Sequence, residues 1–213
     1  MLLEEIPLET VVAWAQIELA CDEATRDEAA ALQRIEALPT QGQRDRGRAR
    51  LARALAGTGN DGAALTAAEG IAAVEVRVAA LIDLRLTLEG LVAMLALERA
   101  TRDISAIAGD DRAPLVADLA AALTALGRSD KALELARGLP AGEEQARAMA
   151  RVAVALAQRG EHEAAQDVIA QVDDEDEQAW AYEELAQDQR LYLGPALQML
   201  NALGNSQGCI HGP

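Results

Sequence analysis

Leu119–Leu139 reads LAAALTALGRSDKALELARGL, and 33 residues later Val152–Val172 reads VAVALAQRGEHEAAQDVIAQV. The two segments place apolar side chains, one glycine and one alanine at equivalent positions. A pattern that recurs at a fixed spacing of this size is typical of helical repeat proteins, in which each repeat is one structural unit. We therefore expect the rest of the chain to consist of further copies of this unit.

The second part of the unit has the pattern Ala-x2-φ-φ-x2-φ, where φ is an apolar residue, and it occurs along most of the chain. Six anchor alanines begin these copies, with steps of 33, 36, 32, 33 and 31 residues: Ala31, Ala64, Ala100, Ala132, Ala165 and Ala196. We predict a single domain over residues 1–204, followed by a flexible tail over 205–213. Its repeats cover approximately residues 8–40, 41–75, 76–109, 110–143, 144–175 and 176–204.

Within a repeat the apolar spacing is helical. Leu119 and Leu123 belong to one stripe of a first helix, and Gly127 permits the left-handed turn that ends it. Ser129 and Asp130 are expected to accept hydrogen bonds from the free amides of a second helix. The third repeat has Gly90 in place of a glycine near position 95, so its turn is displaced or its helices differ in length.

The composition agrees with an all-α protein and narrows the function classes. The chain is 51% apolar but only 2% aromatic, without any Phe, so small aliphatic side chains must form the core. A net charge of −16 disfavours nucleic acid and anionic membranes as partners. The two widely spaced cysteines, the acidic N-terminal segment and the lack of an apolar run of about 20 residues indicate a cytoplasmic protein.

The repeated segments resemble the tetratricopeptide repeat family. The matching residues are a first-helix pair (Leu51-Ala52, Leu119-Ala120 and Val152-Ala153), then a glycine, then an alanine five residues later. The family's aromatic positions hold Leu, Ala or Ile here, and its closing proline position holds Glu144 and Glu177. The resemblance implies a right-handed α-α superhelix, or solenoid, of about six helix pairs.

The same resemblance implies a non-catalytic adaptor or chaperone-like module. In the family, first helices line a concave groove that binds a peptide or protein segment. Carried onto this chain, the groove-facing positions are those of Arg46, Arg53, Arg147, Val154, Trp180 and Gln187, with Pro114 and Ala121 between them.

The segment Arg44–Arg53 contains five arginines in ten positions, in an acidic chain. Arg46, Arg50 and Arg53 are spaced i, i+4 and i+7, which places them on one face of a helix. One interpretation is a guanidinium cluster that binds acidic groups or a C-terminal carboxylate of a partner, because arginine pairs with carboxylates bidentately. The alternative is a solvated face paired with neighbouring Asp and Glu side chains.

Other polar groups give weaker signals. The acidic run Asp173–Glu177 lacks the order of a calcium loop and fits a polar turn before a helix. Cys209 and His211 have no second ligand pair at zinc spacing, so neither a metal nor a cofactor is predicted. Two alternatives remain open for the function. One is a homodimer formed through the last repeat, whose apolar side chains Leu197 to Leu203 no later repeat covers. The other is an enzyme that uses carboxylates.

Overall fold

The structure is a computed structural model that describes residues 8–187, and in this range the chain is helical without any strand. The α-helices are α1 (Leu8–Ala24), α2 (Glu28–Glu36), α3 (Gln41–Gly57), α4 (Asp61–Glu69), α5 (Val74–Leu84), α6 (Gly90–Asp103), α7 (Arg112–Ala125), α8 (Ser129–Arg137), α9 (Glu143–Gln158) and α10 (His162–Ile169). A 3-10 turn, Ile104–Ala106, follows α6, and the chain is helical again over 175–187. None of the described helices is both long and apolar enough to cross a bilayer.

The helices pack as successive antiparallel pairs, which confirms the all-α prediction for the described residues. In each pair a first helix (α1, α3, α5, α7 or α9) packs against the second helix that follows it. Each first helix also contacts the first helix of the next pair, and each second helix from α2 to α8 contacts that same neighbour. Every pair thus rests on the pair before it in the chain.

The core lies where the helices of one pair and of adjacent pairs meet. The five anchor alanines within the described residues have no exposed surface: Ala31, Ala64, Ala100, Ala132 and Ala165. The sixth, Ala196, lies outside the described residues. The first-helix residues Leu51, Leu119 and Val152 are also 0% exposed. The periodic pattern therefore marks the side chains on which the helices pack.

Three of the turns between paired helices have the same geometry. Gly59, Gly127 and Gly160 have φ values of 79°, 77° and 80°. The residue after each glycine donates its N–H to the carbonyl of Leu55, Leu123 or Leu156, at 2.9–3.0 Å. This arrangement satisfies carbonyls at the end of the first helix and favours glycine because of the positive φ. The prediction for Gly127 is confirmed.

The predicted cap of the second helix α8 is wrong. Arg128 occupies the cap position, and no side chain accepts a hydrogen bond there. Ser129 is already the first helical residue, so its side chain does not face the free amides in the required way. The turn at Gly127 brings the chain into the helix one residue earlier than the Ser-Asp pattern indicates.

The third pair differs from the others in the lengths of its helices. Its first helix, α5, has 11 residues, whereas the other first helices have 14 to 17. Its second helix, α6, has 14 residues, whereas the others have 8 or 9. Gly90, with φ 54°, begins α6. Both predicted explanations for the irregular repeat are therefore correct: the turn lies before Gly90 rather than near position 95, and the two helices differ in length from those of the other pairs.

Polar side chains connect consecutive pairs at the ends of the second helices. Arg44 donates to the carbonyl of Leu38 at 2.7 Å, and Arg77 donates to that of Ile71 at 2.6 Å. The amide of Gln145 donates to the carbonyl of Leu139 at 3.0 Å. Each donor lies six residues after its acceptor, in the first turn or turns of the next first helix. These bonds satisfy carbonyls that a helix end leaves free and fix the angle of the link.

Gly47 lies where α3 packs against the first pair without room for a side chain. A Cβ atom placed on Gly47 would lie 2.8 Å from Cδ1 and 3.0 Å from Cγ2 of Ile35, and 3.4 Å from Cγ1 of Ile17. Ile35 is fully buried, so it has little room to move away. A side chain at position 47 would therefore force α3 away from α2.

We predict that Gly47→Val lowers the free energy of unfolding by about 1–3 kcal/mol, because overpacking shifts the surrounding helices. Denaturant unfolding followed by circular dichroism measures this change. Gly42→Val in the same helix is the control, since nothing lies within 4 Å of its added Cβ. That control should change stability by less than about 0.5 kcal/mol, because Val and Gly differ little in helix propensity. Equal effects of the two substitutions would contradict the proposed close approach.

Candidate functional site

The predicted arginine cluster lies on the exposed surface of α3, and two of its members already have carboxylate partners. The guanidinium of Arg50 pairs with Glu18 of α1 at 2.5 Å, and Arg53 pairs with Asp83 of α5 at 2.6 Å. The hydrogen bond to Glu18 and the charge of that carboxylate raise the pKa of Arg50. These two ion pairs connect α3 to the first helices on either side of it.

Arg46 differs from its two neighbours on the same face. Arg46 is exposed, and within residues 8–187 no carboxylate lies within ion-pair distance of its guanidinium group. The structure therefore combines both sequence-based interpretations of the cluster. Arg50 and Arg53 have internal partners, whereas Arg46 presents its charge to solvent. Whether the cluster binds an acidic partner stays a prediction.

A second set of predicted residues meets at the other end of the row of first helices. Arg147 of α9 and Trp180 of the segment 175–187 line one cavity of about 300 Å³, together with Arg151, Asp176 and Glu177. Trp180 is 38% exposed. An indole beside two guanidinium groups can bind an apolar or aromatic side chain of a partner, while the charged groups around it orient polar atoms.

The two arginines of this cavity form ion pairs with neighbouring carboxylates. Arg147 pairs with Glu177 at 2.8 Å through Nε and with Glu143 at 2.5 Å through Nη2. Arg151 pairs with Asp118 of α7. The hydrogen bond and the charge of Glu177, followed by the bond to Glu143, raise the pKa of Arg147. Both guanidinium groups thus have carboxylate partners, although each side chain is nearly half exposed to solvent.

The predicted site residues do not form one compact cluster. Gln187 lies seven residues after Trp180, on the same face of the helical segment 175–187, and it is exposed. The arginines of α3 and the cavity at Arg147 are separated by α5 and α7, since the first helices contact one another in series. Any ligand that touches both places must therefore extend across several helices.

The end of the described chain is strongly acidic. Residues 161–187 contain ten Asp and Glu residues and neither Lys nor Arg. Within this region Asp174 accepts hydrogen bonds from the backbone N–H groups of Asp176 and Glu177, at 3.1 and 3.0 Å. The acidic run therefore begins a helix, as expected for a polar turn with carboxylates at a helix N-terminus. Cys209, His211 and the apolar residues 197–203 lie outside the described residues.

Asp45 is a buried carboxylate that the sequence analysis did not single out. It is 2% exposed and accepts hydrogen bonds from the backbone N–H groups of Ala72 and Ala73, at 2.9 and 3.0 Å, and from the side chain of Gln41. Burial acts to raise its pKa, but the bonds from Ala72, Gln41 and Ala73 outweigh burial and lower the pKa. Asp45 thus stabilises the start of α5, which has no cap of its own.

A signal for Asp45 was present in the sequence. The residue lies seven positions before Ala52, on the stripe of α3 that packs inward. A carboxylate on an otherwise apolar stripe is expected to have hydrogen-bond partners, because burying an unpaired charge is very unfavourable. The five arginines around Asp45 dominate the charge of this segment and hide that signal.

We predict that Asp45→Ala lowers the free energy of unfolding at pH 7 by about 2 kcal/mol, because two backbone amides lose a charged acceptor. Since the folded-state pKa of Asp45 lies below the unfolded one, its contribution is present at neutral pH. It is lost as the pH falls through the two pKa values. Unfolding measured from pH 7 down to pH 2 should therefore show a smaller loss of stability on acidification in the variant than in the wild type.

The matched control for this prediction is Asp83→Ala, which removes a carboxylate from an exposed ion pair with Arg53. Such pairs contribute between zero and about 1 kcal/mol, so the control should be the milder variant. A result in which Asp45→Ala is no more destabilising than Asp83→Ala would refute the capping role.

No family model matches this chain, and neither a curated protein nor a solved structure does. The function must therefore be inferred from the contacts, burial and charges of the described residues.

Proposed function

We propose that this chain is a non-catalytic protein-interaction module of the tetratricopeptide-like kind. In this proposal its helix pairs stack into a right-handed solenoid, and an extended segment of a partner protein docks along the row of first helices. The series of contacts from α1 through α3, α5 and α7 to α9 supports the stacked arrangement. The wide spacing of the cysteines favours action in the cytoplasm.

The observation that carries the proposal is the exposed Trp180 beside Arg147 and Arg151 in a cavity on the first-helix surface. Tryptophan and arginine are the side chains that most often dominate binding energy at protein interfaces. In this chain the core consists of small aliphatic side chains, so an indole placed at the surface is not needed for packing. We assign it as the anchor of the docked segment.

The distance between the arginines of α3 and the cavity at Trp180 favours an extended ligand. Adjacent packed helices lie about 8–10 Å apart, so the row from α3 to 175–187 spans about 30–40 Å. An extended peptide of about ten to twelve residues covers this distance. A small molecule that fills a cavity of about 300 Å³ would touch only one end of the row.

The internal ion pairs are compatible with binding of acidic groups. On α3, Arg50 pairs with Glu18 and Arg53 pairs with Asp83, and both carboxylates are partly exposed. Exposed ion pairs contribute little, so a partner's carboxylate can replace an internal one at small cost. Arg46 has no carboxylate nearby within residues 8–187, so a carboxylate of the partner can pair with it without displacing an internal one.

We predict that Arg147→Ala with Trp180→Ala reduces capture of the partner by about 30-fold or more, because a loss of 2 kcal/mol or more is typical of an interface anchor. The measurement is a pull-down from host lysate with the full chain as bait, quantified by mass spectrometry. The matched control, Arg137→Ala with Leu91→Ala, also removes one arginine and one exposed apolar side chain, but on the second helices. Equal capture by the two double variants would sink the anchor assignment.

A second pair of substitutions tests the other end of the row. Arg46→Glu with Arg53→Glu should abolish capture of the same partner, because it replaces two favourable charges by repulsive ones. Helicity and melting temperature should remain nearly unchanged, since both side chains are exposed. If this variant captures the partner as well as the wild type does, α3 is not part of the docking surface.

A further inference from the structure

Helix α1 is apolar on two opposite faces. Its inner face, which includes Ala13, Ile17 and Ala20, is buried against the neighbouring helices. The opposite face carries a second apolar row at the spacing i, i+3, i+4, i+7 and i+11, which we name the outer stripe: Leu8, Val11, Val12, Ala15 and Leu19. The exposed fractions are 76% for Leu8, 50% for Val12 and 51% for Leu19.

The outer stripe is the largest concentration of exposed apolar side chains in the described part of the chain. Of the ten large hydrophobic residues that are exposed there, five lie on α1, including Trp14 at the edge of the stripe. A helix that ends a stack of repeats normally has a polar outer face, which keeps the stack soluble. The stripe therefore requires a cover.

The charge of the surrounding surface indicates which kind of partner can cover the outer stripe. Residues 8–57 contain eight acidic and seven basic residues, whereas residues 58–187 contain 24 acidic and 11 basic ones. Two copies of a chain with a net charge of −16 repel each other through most of their surfaces. Helix α1 itself carries four acidic side chains and neither Lys nor Arg, but Glu18 pairs with Arg50 and Glu23 pairs with Arg34, so the repulsion between two copies is weakest around the outer stripe.

We propose that a second copy of this chain covers the outer stripe, with α1 packed antiparallel on α1 of the partner about a two-fold axis. The centre of the stripe lies between Val12 and Ala15, so in this arrangement Leu8 of one copy lies opposite Leu19 of the other. A two-fold interface uses the same patch twice and must be self-complementary, as this stripe is. The small side chain of Ala15 permits close approach of the two helices.

The exposed area sets the strength of this contact. The large side chains of the stripe and Trp14 together expose roughly 500 Å² per copy, if each has a total area of about 150–250 Å². The two copies together then bury about 1,000 Å², which is the lower limit for a specific interface. The dimer should accordingly form at micromolar concentrations and dissociate on dilution.

Sedimentation equilibrium of the full chain from about 1 to 200 µM tests the proposal over the range expected for a small interface. The wild type should show twice the 22.5 kDa chain mass at high concentration and approach the single-chain mass on dilution. Val12→Lys with Leu19→Lys places four ammonium groups in the interface of the dimer, and it should raise the dissociation constant by at least about 100-fold. Both side chains are half exposed in the single chain, so helicity should be unchanged, and the melting temperature should match that of the wild type at about 1 µM, where both are single chains.

The matched control is Leu86→Lys with Leu91→Lys, which makes the same chemical change at two exposed leucines outside α1. It should dimerise like the wild type. A third variant, Trp180→Phe, leaves Trp14 as the chain's tryptophan. Its fluorescence should shift to longer wavelength on dilution over the same concentrations, because dissociation exposes the edge of the stripe.

Three outcomes would overturn the proposal. One is a single-chain mass for the wild type over the whole range, which would mean that residues 1–7 or another partner cover the stripe. Another is a dimer that the Val12→Lys and Leu19→Lys substitutions leave intact, which would place the contact elsewhere. The third is a loss of the dimer in the Leu86→Lys and Leu91→Lys control.

Discussion

The close contact of helices over fully buried alanines is the constraint on which the rest of this structure depends. At Ala31, Ala64, Ala132 and Ala165 a single methyl group fills the space between helices, with no exposed surface. A larger side chain there would separate two helices, and interiors at crystal-like density have no room to absorb it. Because each pair rests on the one before it, such a displacement would be passed along the stack. In the sequence this constraint appears as an alanine that recurs about every 33 residues.

The small core also decides what appears on the surface. Since aliphatic side chains fill the spaces between helices, the tryptophans, the tyrosine at 182 and most arginines lie outside. There the arginines form ion pairs that bridge neighbouring helices, such as Arg50 with Glu18 and Arg53 with Asp83. Exposed pairs of this kind contribute little to stability. The helices therefore determine where the charges lie, and the charges remain free to exchange partners.

Much of the fold could be predicted because it follows from the spacing of apolar residues and glycines within one repeat. The anchor alanines and the turn at Gly127 depend on residues within one repeat, which a period makes visible. The role of Asp45 could not be predicted, because its carboxylate accepts hydrogen bonds from amides 27 and 28 residues later in the chain. The position of that link depends on how two helix pairs pack. The same holds for Gly47 against Ile35, and for the ion pairs of the site, which depend on register between helices.

The two ends of the proposed docking row differ in charge, and this difference bears on specificity. Arg46, Arg50 and Arg53 give α3 a basic surface, whereas the two guanidinium groups beside Trp180 are outnumbered by the carboxylates around them: Asp118, Glu143, Asp176 and Glu177. Charges farther apart than about 8 Å are largely screened at physiological salt, so each end acts on the part of the ligand near it. A segment with one acidic and one basic part would be attracted at both ends in one orientation and repelled at both in the reverse one. Charge complementarity of this kind contributes more to specificity and direction than to affinity, so in the proposed docking mode the affinity would come from the anchor at Trp180.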